Sequence, residues 1–227
     1  MKNMNNIEKN PWLIILPRIA LFVFILFNII AMLVYPGSTY QNNISPGYSF
    51  TQNFLSDLGR TISYSGKINF FSSQLFNMSL ILAGCVFAFF YLHVRKIFYG
   101  DNQWPFAFIG SIFGFLGGLC LVGVGLTPAD LYLDIHIICA TWLFRLFFVA
   151  SFCYSIVILK HIKFENKYAG GYLIFTVSIL LYILISELGP DPKTSPFALT
   201  LQVISQKIIL FIFMASIYMQ TLGLKKL

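Results

Sequence analysis

Six apolar runs, each long enough to cross a bilayer, leave this chain of 227 residues little choice of fold. About 20 consecutive apolar residues span the hydrocarbon core as a helix. Runs of that kind lie at about 12–35, 70–92, 105–126, 131–159, 172–187 and 197–222. Within lipid an open strand edge leaves backbone N–H and C=O groups unpaired, whereas a helix satisfies them internally. The connections are too short to hold a second core. The expected fold is therefore all-α, one integral membrane domain (1–227) built as a bundle of six transmembrane helices. Only 10% of the residues are charged and 58% are hydrophobic, against about a quarter charged in soluble domains.

Basic residues set the expected orientation. Ten lysines and arginines, from Lys2 and Lys9 through Arg18 and the 160–167 loop to Lys225 and Lys226, fall at one set of helix ends. Four (Arg60, Lys67, Lys193 and Lys207) fall at the other, and Arg145 sits mid-span. An excess of Lys and Arg marks the cytoplasmic side, so both termini are expected in the cytoplasm and the long 36–69 connection outside the cell membrane. The +7 charge forms no block or patch of the kind that binds nucleic acid. Membrane lipids are the expected partners, and nucleic acid is not. Cys85, Cys120, Cys139 and Cys153 all lie inside apolar runs, with neither a disulfide framework nor a CxxC metal pair. The first run is too long for a secretory signal and is followed by no small-x-small cleavage site, so it reads as an uncleaved span. No cofactor and no metal set is implied.

The outer connection contains an ordered polar stretch, Ser45 to Arg60. Phe50, Phe54, Leu55 and Leu58 recur at helical spacing, which predicts a short amphipathic helix near 50–58. Gly59 would end it as a left-handed residue. Asp57 then lies in the last turn, where the helix dipole disfavours an acid. Ser186-Glu187-Leu188-Gly189 nearly copies Ser56-Asp57-Leu58-Gly59. Two carboxylates at the mouth of the bundle can hold a cation, or each can be neutralised by a base such as Arg60, Lys193 or Lys207.

Other polar residues lie in the same outer half. Asp134 and His136 open the fourth run, and His136 is a proton carrier or metal ligand only if residues from other helices join it, because no HxxxH or HExxH pair exists. Arg145 is the costliest residue, charged about 2.5–3.5 kcal/mol at a helix centre. Asn28, Tyr182 or backbone carbonyls are its expected partners. Asn69, Ser73 and Asn77 form one polar stripe, and Gln202, Gln206 and Lys207 another. These stripes serve either an outward-opening pocket or hydrogen bonds between helices. Gly110, Gly114 and Gly118 give two overlapping GxxxG steps, which suit close packing within the subunit first and a homo-oligomer second.

Pro46-Gly47-Tyr48-Ser49, Asn53, Ser56-Asp57-Leu58-Gly59, Phe76-Asn77, Gly84 and Gly125-Leu126-Thr127-Pro128 through His136 together resemble domain-of-unknown-function family 998. More distantly, the layout is similar to the Frag/DRAM/Sfk group of six-span proteins. The resemblance implies a six-helix membrane protein and no particular chemistry. The expected function is to bind a lipid or small molecule, without catalysis, in an outward-facing polar pocket. Its candidate residues are Asp57, Asn77, Asp134, His136, Arg145, Glu187, Gln206 and Lys207. The rival readings are a metal-dependent hydrolase of lipid headgroups, using Asp57, His136 and Glu187, and a small-solute transporter.

Overall fold

The structure is a computed structural model that describes residues 10–162 and 164–227. Lys2, Glu8, Lys9 and Lys163, which enter the charge count, lie outside the described residues. Six helices account for the apolar runs: α1 (Ile15–Val34), α2 (Phe70–Val94, continued by a 3-10 turn Arg95–Phe98), α3 (Trp104–Leu126), α4 (Leu133–Lys160), α5 (Asn166–Leu188) and α6 (Pro196–Leu224). Among the described residues these six are long and apolar enough to cross a membrane, with window hydropathies from 1.8 to 2.4. At about 1.5 Å per residue, even the 20-residue α1 covers about 30 Å, the thickness of a bilayer core. The protein is an all-α integral membrane bundle.

Local chemistry explains where the helices begin and end. Ser195 caps α6, its Oγ accepting from Ala198 N at 3.1 Å, and Pro196 follows at the first helical position. The α5 helix begins at Asn166, before Tyr172 where the apolar run begins. Gly171 is tolerated there because Met219 of α6 fills the space beside it.

The helices pack in a ring in which each meets its sequence neighbours. The contacts of α3 with α2 and α4 are the most extensive, and the closing contact between α1 and α6 is slight. An aromatic cluster fills the centre. Phe213 of α6 has ring centroids of Phe87, Phe147 and Phe175 at 5.2, 4.9 and 5.2 Å. Large apolar side chains such as Phe22, Leu33, Phe71 and Phe211 point outward. Such a surface suits lipid and would be a liability in water. Arg18 Nε donates to Thr221 Oγ1 at 2.8 Å, so the start of α1 and the end of α6 share one end of the bundle, here called the terminal end. The 36–69 connection lies at the opposite, loop end.

The glycine stripe of α3 meets helices of the same chain. A Cβ added at Gly118 would lie 2.7 Å from both Gly84 O and Ala88 N of α2, and one at Gly84 would lie 2.6 Å from Gly118 O. Backbone here meets backbone, which only glycine allows. Gly114 faces the Tyr91 ring of α2, and Gly110 faces Cys153 and Tyr154 of α4. Gly118→Leu is expected to cost about 1–3 kcal/mol or more through overpacking and to lower the unfolding temperature in detergent. Gly170→Ala, at a site where an added Cβ meets nothing within 4 Å, is expected to shift it little. Equal stability of the Gly118 variant and the parent would contradict this close α2–α3 contact.

Candidate functional site

The loop end is closed by residues 36–69, folded as a lid. It starts with a small antiparallel pair, β1 (Gly37–Thr39) and β2 (Asn42–Pro46). Gly37 has φ +121°, and a Cβ there would lie 2.9 Å from both Ser45 O and Gly47 N, so the sharp entry into β1 needs glycine. Gln41 Nε2 donates to Pro192 O at 2.7 Å, tying this hairpin to the α5–α6 link. The short helix expected near 50–58 is instead a single 3-10 turn, Leu55–Gly59. Phe50 stays outside the turn and is exposed, while Leu55 and Leu58 are buried. Gly59 is not left-handed. It is small because a Cβ there would lie 2.5 Å from Asn77 Oδ1 and 2.7 Å from the Phe76 ring.

Asn53 organises the lid from inside. Its Oδ1 accepts from Ser49 N at 2.9 Å, and its Nδ2 donates to Ser38 O and to Asp57 Oδ2, both at 3.0 Å. These local bonds hold residues 49–53 out of a regular helix. Asp57 Oδ1 accepts from the Tyr64 hydroxyl at 3.3 Å. Asp57 is 4% exposed, and no ion pair reaches it among the described residues. Burial pushes its carboxyl up to about 6, against the opposing pull of the Asn53 bond, the Arg60 charge, the Phe54 backbone and the Tyr64 hydroxyl. Arg60, proposed from sequence as a base for Asp57, lies over the Tyr64 ring at 4.2 Å.

Side chains of the bundle take up the remaining backbone groups of the lid. From α2 and its first flanking residue, Asn69 Nδ2 donates to Leu58 O and Arg60 O at 2.9 and 2.8 Å, Ser72 Oγ to Leu58 O at 3.2 Å, and Asn77 Nδ2 to Gly59 O at 3.1 Å. From α6, Gln206 Oε1 accepts from Leu55 N at 2.8 Å, and Lys207 Nζ donates to Asn53 O at 2.6 Å. The Lys207 ammonium also lies 5.4 and 5.1 Å from the Tyr48 and Phe50 ring centres. From the α3–α4 turn, Asp130 accepts from Thr61 N at 3.0 Å, from the Thr61 hydroxyl, and from Ile62 N at 2.9 Å. Burial alone would raise the Asp130 carboxyl, but these bonds outweigh it and hold it below the usual carboxylate range.

Of the residues singled out from sequence, Asp57, Asn77, Gln206 and Lys207 thus gather at the lid. The other four do not join them. Arg145 and Glu187 bond to each other, Nη2 to Oε1 at 2.6 Å, and remain 38% and 45% exposed. This corrects the expected partners of Arg145, Asn28 and Tyr182. Asn28 Nδ2 instead donates to Phe24 O and Ser79 Oγ, and the Tyr182 ring packs at a tilt against Phe144, centroids 4.4 Å apart. The reason is reach. Glu187 lies one residue short of the loop-end terminus of α5, and the long Arg145 stem carries its charge outward from mid-helix. His136 Nδ1 is 2.7 Å from Thr127 O, closing the α3–α4 turn, and Asp134 is exposed. Among the described residues no three His, Cys, Asp or Glu side chains gather as a metal would require. Asp57, His136 and Glu187 are each engaged elsewhere.

The sequence model of a family described as "Protein of unknown function (DUF998)" matches residues 28–217. The chain belongs to this family. No curated protein and no solved structure matches it. In this DUF998 member the matched segment takes in the whole lid, Asp130, Gln206 and Lys207.

Residues that build or fasten the lid without being among the candidates include Asn53, Tyr64, Asn69, Ser72 and Asp130. Asn53, four residues before Asp57, carried a local signal. The bond from Thr61 to Asp130 crosses 69 residues and had none.

Two tests follow from the lid. Asp57 has a folded-state value near 6, above the unfolded value of about 3.9. Its contribution to stability is complete below about pH 4 and is lost as pH rises through about 6. Asp57→Asn removes that slope, so the stability of the variant relative to the parent should improve by up to about 3 kcal/mol from pH 4 to pH 7. Chemical unfolding at a series of pH values measures it, and a difference independent of pH would refute it. Asp130→Ala leaves the Thr61 and Ile62 donors without their acceptor, at about 1–3 kcal/mol each. Faster hydrogen exchange confined to residues 60–63 is the expected result.

Proposed function

We propose that this protein binds an amphipathic lipid, its polar head under the lid and its chain in the apolar interior beneath. On this reading the lid faces the outside of the cell membrane, in keeping with the excess of basic residues at the terminal end. The observation that carries the proposal is the placement of Leu210. It lies three residues from Lys207 and lines two narrow, wholly apolar crevices. One is bounded by Leu143, Phe147, Phe175 and Ile179, the other by Leu21, Phe24 and Phe87, and both share Leu121 and Phe213. One helical turn therefore separates a lid-bound ammonium from hydrocarbon-lined space, the polarity sequence of a lipid. A buried polar atom at the lid adds support. Asn69 Oδ1 has no hydrogen-bond partner among the described residues, and such a group favours a polar guest. The slight contact between α1 and α6 supplies the seam through which a chain enters from the bilayer.

The test is lipid retention by protein purified in mild detergent, read by native mass spectrometry. Leu210→Trp, which fills both crevices, and Lys207→Ala, which removes the head contact, should each lower retained lipid by about tenfold, as loss of about 1.4 kcal/mol implies. Absence of retained lipid from the parent, or retention unaltered in both folded variants, would overturn the proposal.

A further inference from the structure

The opposite end of the molecule holds a charge that the lid does not explain. Arg18 is the fourth residue of α1, and at the terminal end it leans on α6. Its Nε donates to Thr221 Oγ1 at 2.8 Å, and its guanidinium carbon lies 5.4 Å from the centre of the Tyr218 ring. Its Nη2 is buried and has no hydrogen-bond partner among the described residues. An unanswered charged donor is among the costliest things a protein can bury.

The acids of the described residues are otherwise occupied or remote. At the terminal end Asp101 pairs with His161, and Glu165 with Lys167 and Lys226. Asp57, Asp130, Asp134, Glu187 and Asp191 belong to the loop end. Lys225, which follows the last turn of α6 and is exposed, adds positive charge. Depth also matters: Arg18 in the first turn of α1 and Thr221 in the last turn of α6 both lie where a helix leaves the hydrocarbon. Leu21, three residues beyond Arg18, is the first α1 residue in the apolar crevice that Phe213 and Met214 of α6 also line. A guanidinium with a free nitrogen, on an apolar seam at headgroup depth, matches a phosphate oxygen in charge and in its demand for N–H donors.

We infer that Arg18, positioned by Thr221 and Tyr218, binds the phosphate of an anionic phospholipid from the leaflet at the terminal end, with an acyl chain along the α1–α6 seam. The phosphate site at Arg18 is separate from the lid and does not rest on the reading of it, although the crevice beside it is one of the two that the lid reading uses. Arg18, Tyr218 and Thr221 also lie outside the family-matched residues 28–217, so the site belongs to this chain and is not taken from the match.

The experiment uses the full chain in detergent, titrated with phosphatidylglycerol, phosphatidylcholine or sodium phosphate and followed by native mass spectrometry and thermal unfolding. Phosphatidylglycerol should bind more tightly than phosphatidylcholine. Arg18→Gln, which still offers an amide to Thr221, should weaken phosphatidylglycerol binding about tenfold or more, the loss expected for a charge-assisted hydrogen bond. Thr221→Val keeps the charge and frees its direction, and gives a smaller loss. Lys207→Ala leaves this binding unchanged, so its failure and that of the lid reading are told apart. Sodium phosphate binding that depends on Arg18 and gains nothing from acyl chains supports the anion site and assigns it to free phosphate. Equal phosphatidylglycerol affinity in the parent and in folded Arg18→Gln overturns the inference. So does a marked gain of affinity in Glu8→Gln, because the chain's own acid would then already answer the guanidinium.

Discussion

Every backbone N–H and C=O that a membrane protein withdraws from water has to find a partner within the protein, and in this chain that demand is hardest to meet in the lid. The helices meet it by their own geometry. Residues 36–69 contain a two-stranded hairpin, one 3-10 turn and a short antiparallel bridge from Ile62 to Ile68, so much of their remaining backbone relies on side chains supplied by the bundle. Asn69, Ser72 and Asn77 take the carbonyls of the 58–60 turn, Gln206 and Asp130 take its neighbouring N–H groups, and Lys207 takes a carbonyl from the other side. The lid is therefore fastened to α2, to the α3–α4 turn and to α6 together.

This fastening gives the polar half-stripes of α2 and α6 a structural purpose, and it leaves a few groups over. Among the described residues Asp57 is buried without an ion-pair partner, and Asn69 Oδ1 is unbonded. Bonds between polar side chains and helices are individually weak in membranes, about 0.6 kcal/mol on average. A lid held by several such bonds is stable as a set yet can yield at one point. On the proposed lipid-binding reading, that property suits a closure above apolar space.

The bundle below obeys a different constraint, close packing. Gly84 and Gly118 let α2 and α3 touch backbone to backbone, and the aromatic rings around Phe213 fill the centre. Where α1 meets α6 there is neither a glycine seam nor an aromatic plug, and contact is slight. One of the two apolar crevices, the one lined by Leu21 and Phe24, and the unpaired Arg18 nitrogen are found along that weak joint, whereas the other crevice lies between α3, α4, α5 and α6. The same seam thus carries hydrocarbon-lined space in its middle and a cation near each end.

Hydropathy along the chain was sufficient to establish six membrane helices, because helix formation in lipid depends on runs of neighbouring residues. Eight polar residues were legible for the same reason, since each breaks an apolar or helical pattern locally, but that signal did not separate Asp57, Asn77, Gln206 and Lys207, which meet at the lid, from Asp134, His136, Arg145 and Glu187, which do not. Partner choice was not legible. Arg145 reaches Glu187 across 42 residues, and Thr61 reaches Asp130 across 69. Both bonds exist only because the ring of helices brings distant segments to one depth. The short helix expected near 50–58 gave way to a 3-10 turn because Asn53 bonds the backbone around it, a competition settled by the packing of the lid against α2 and α6. Apolar periodicity determines which segments enter the membrane, whereas the pairing of their few polar groups depends on how the helices are arranged around one another.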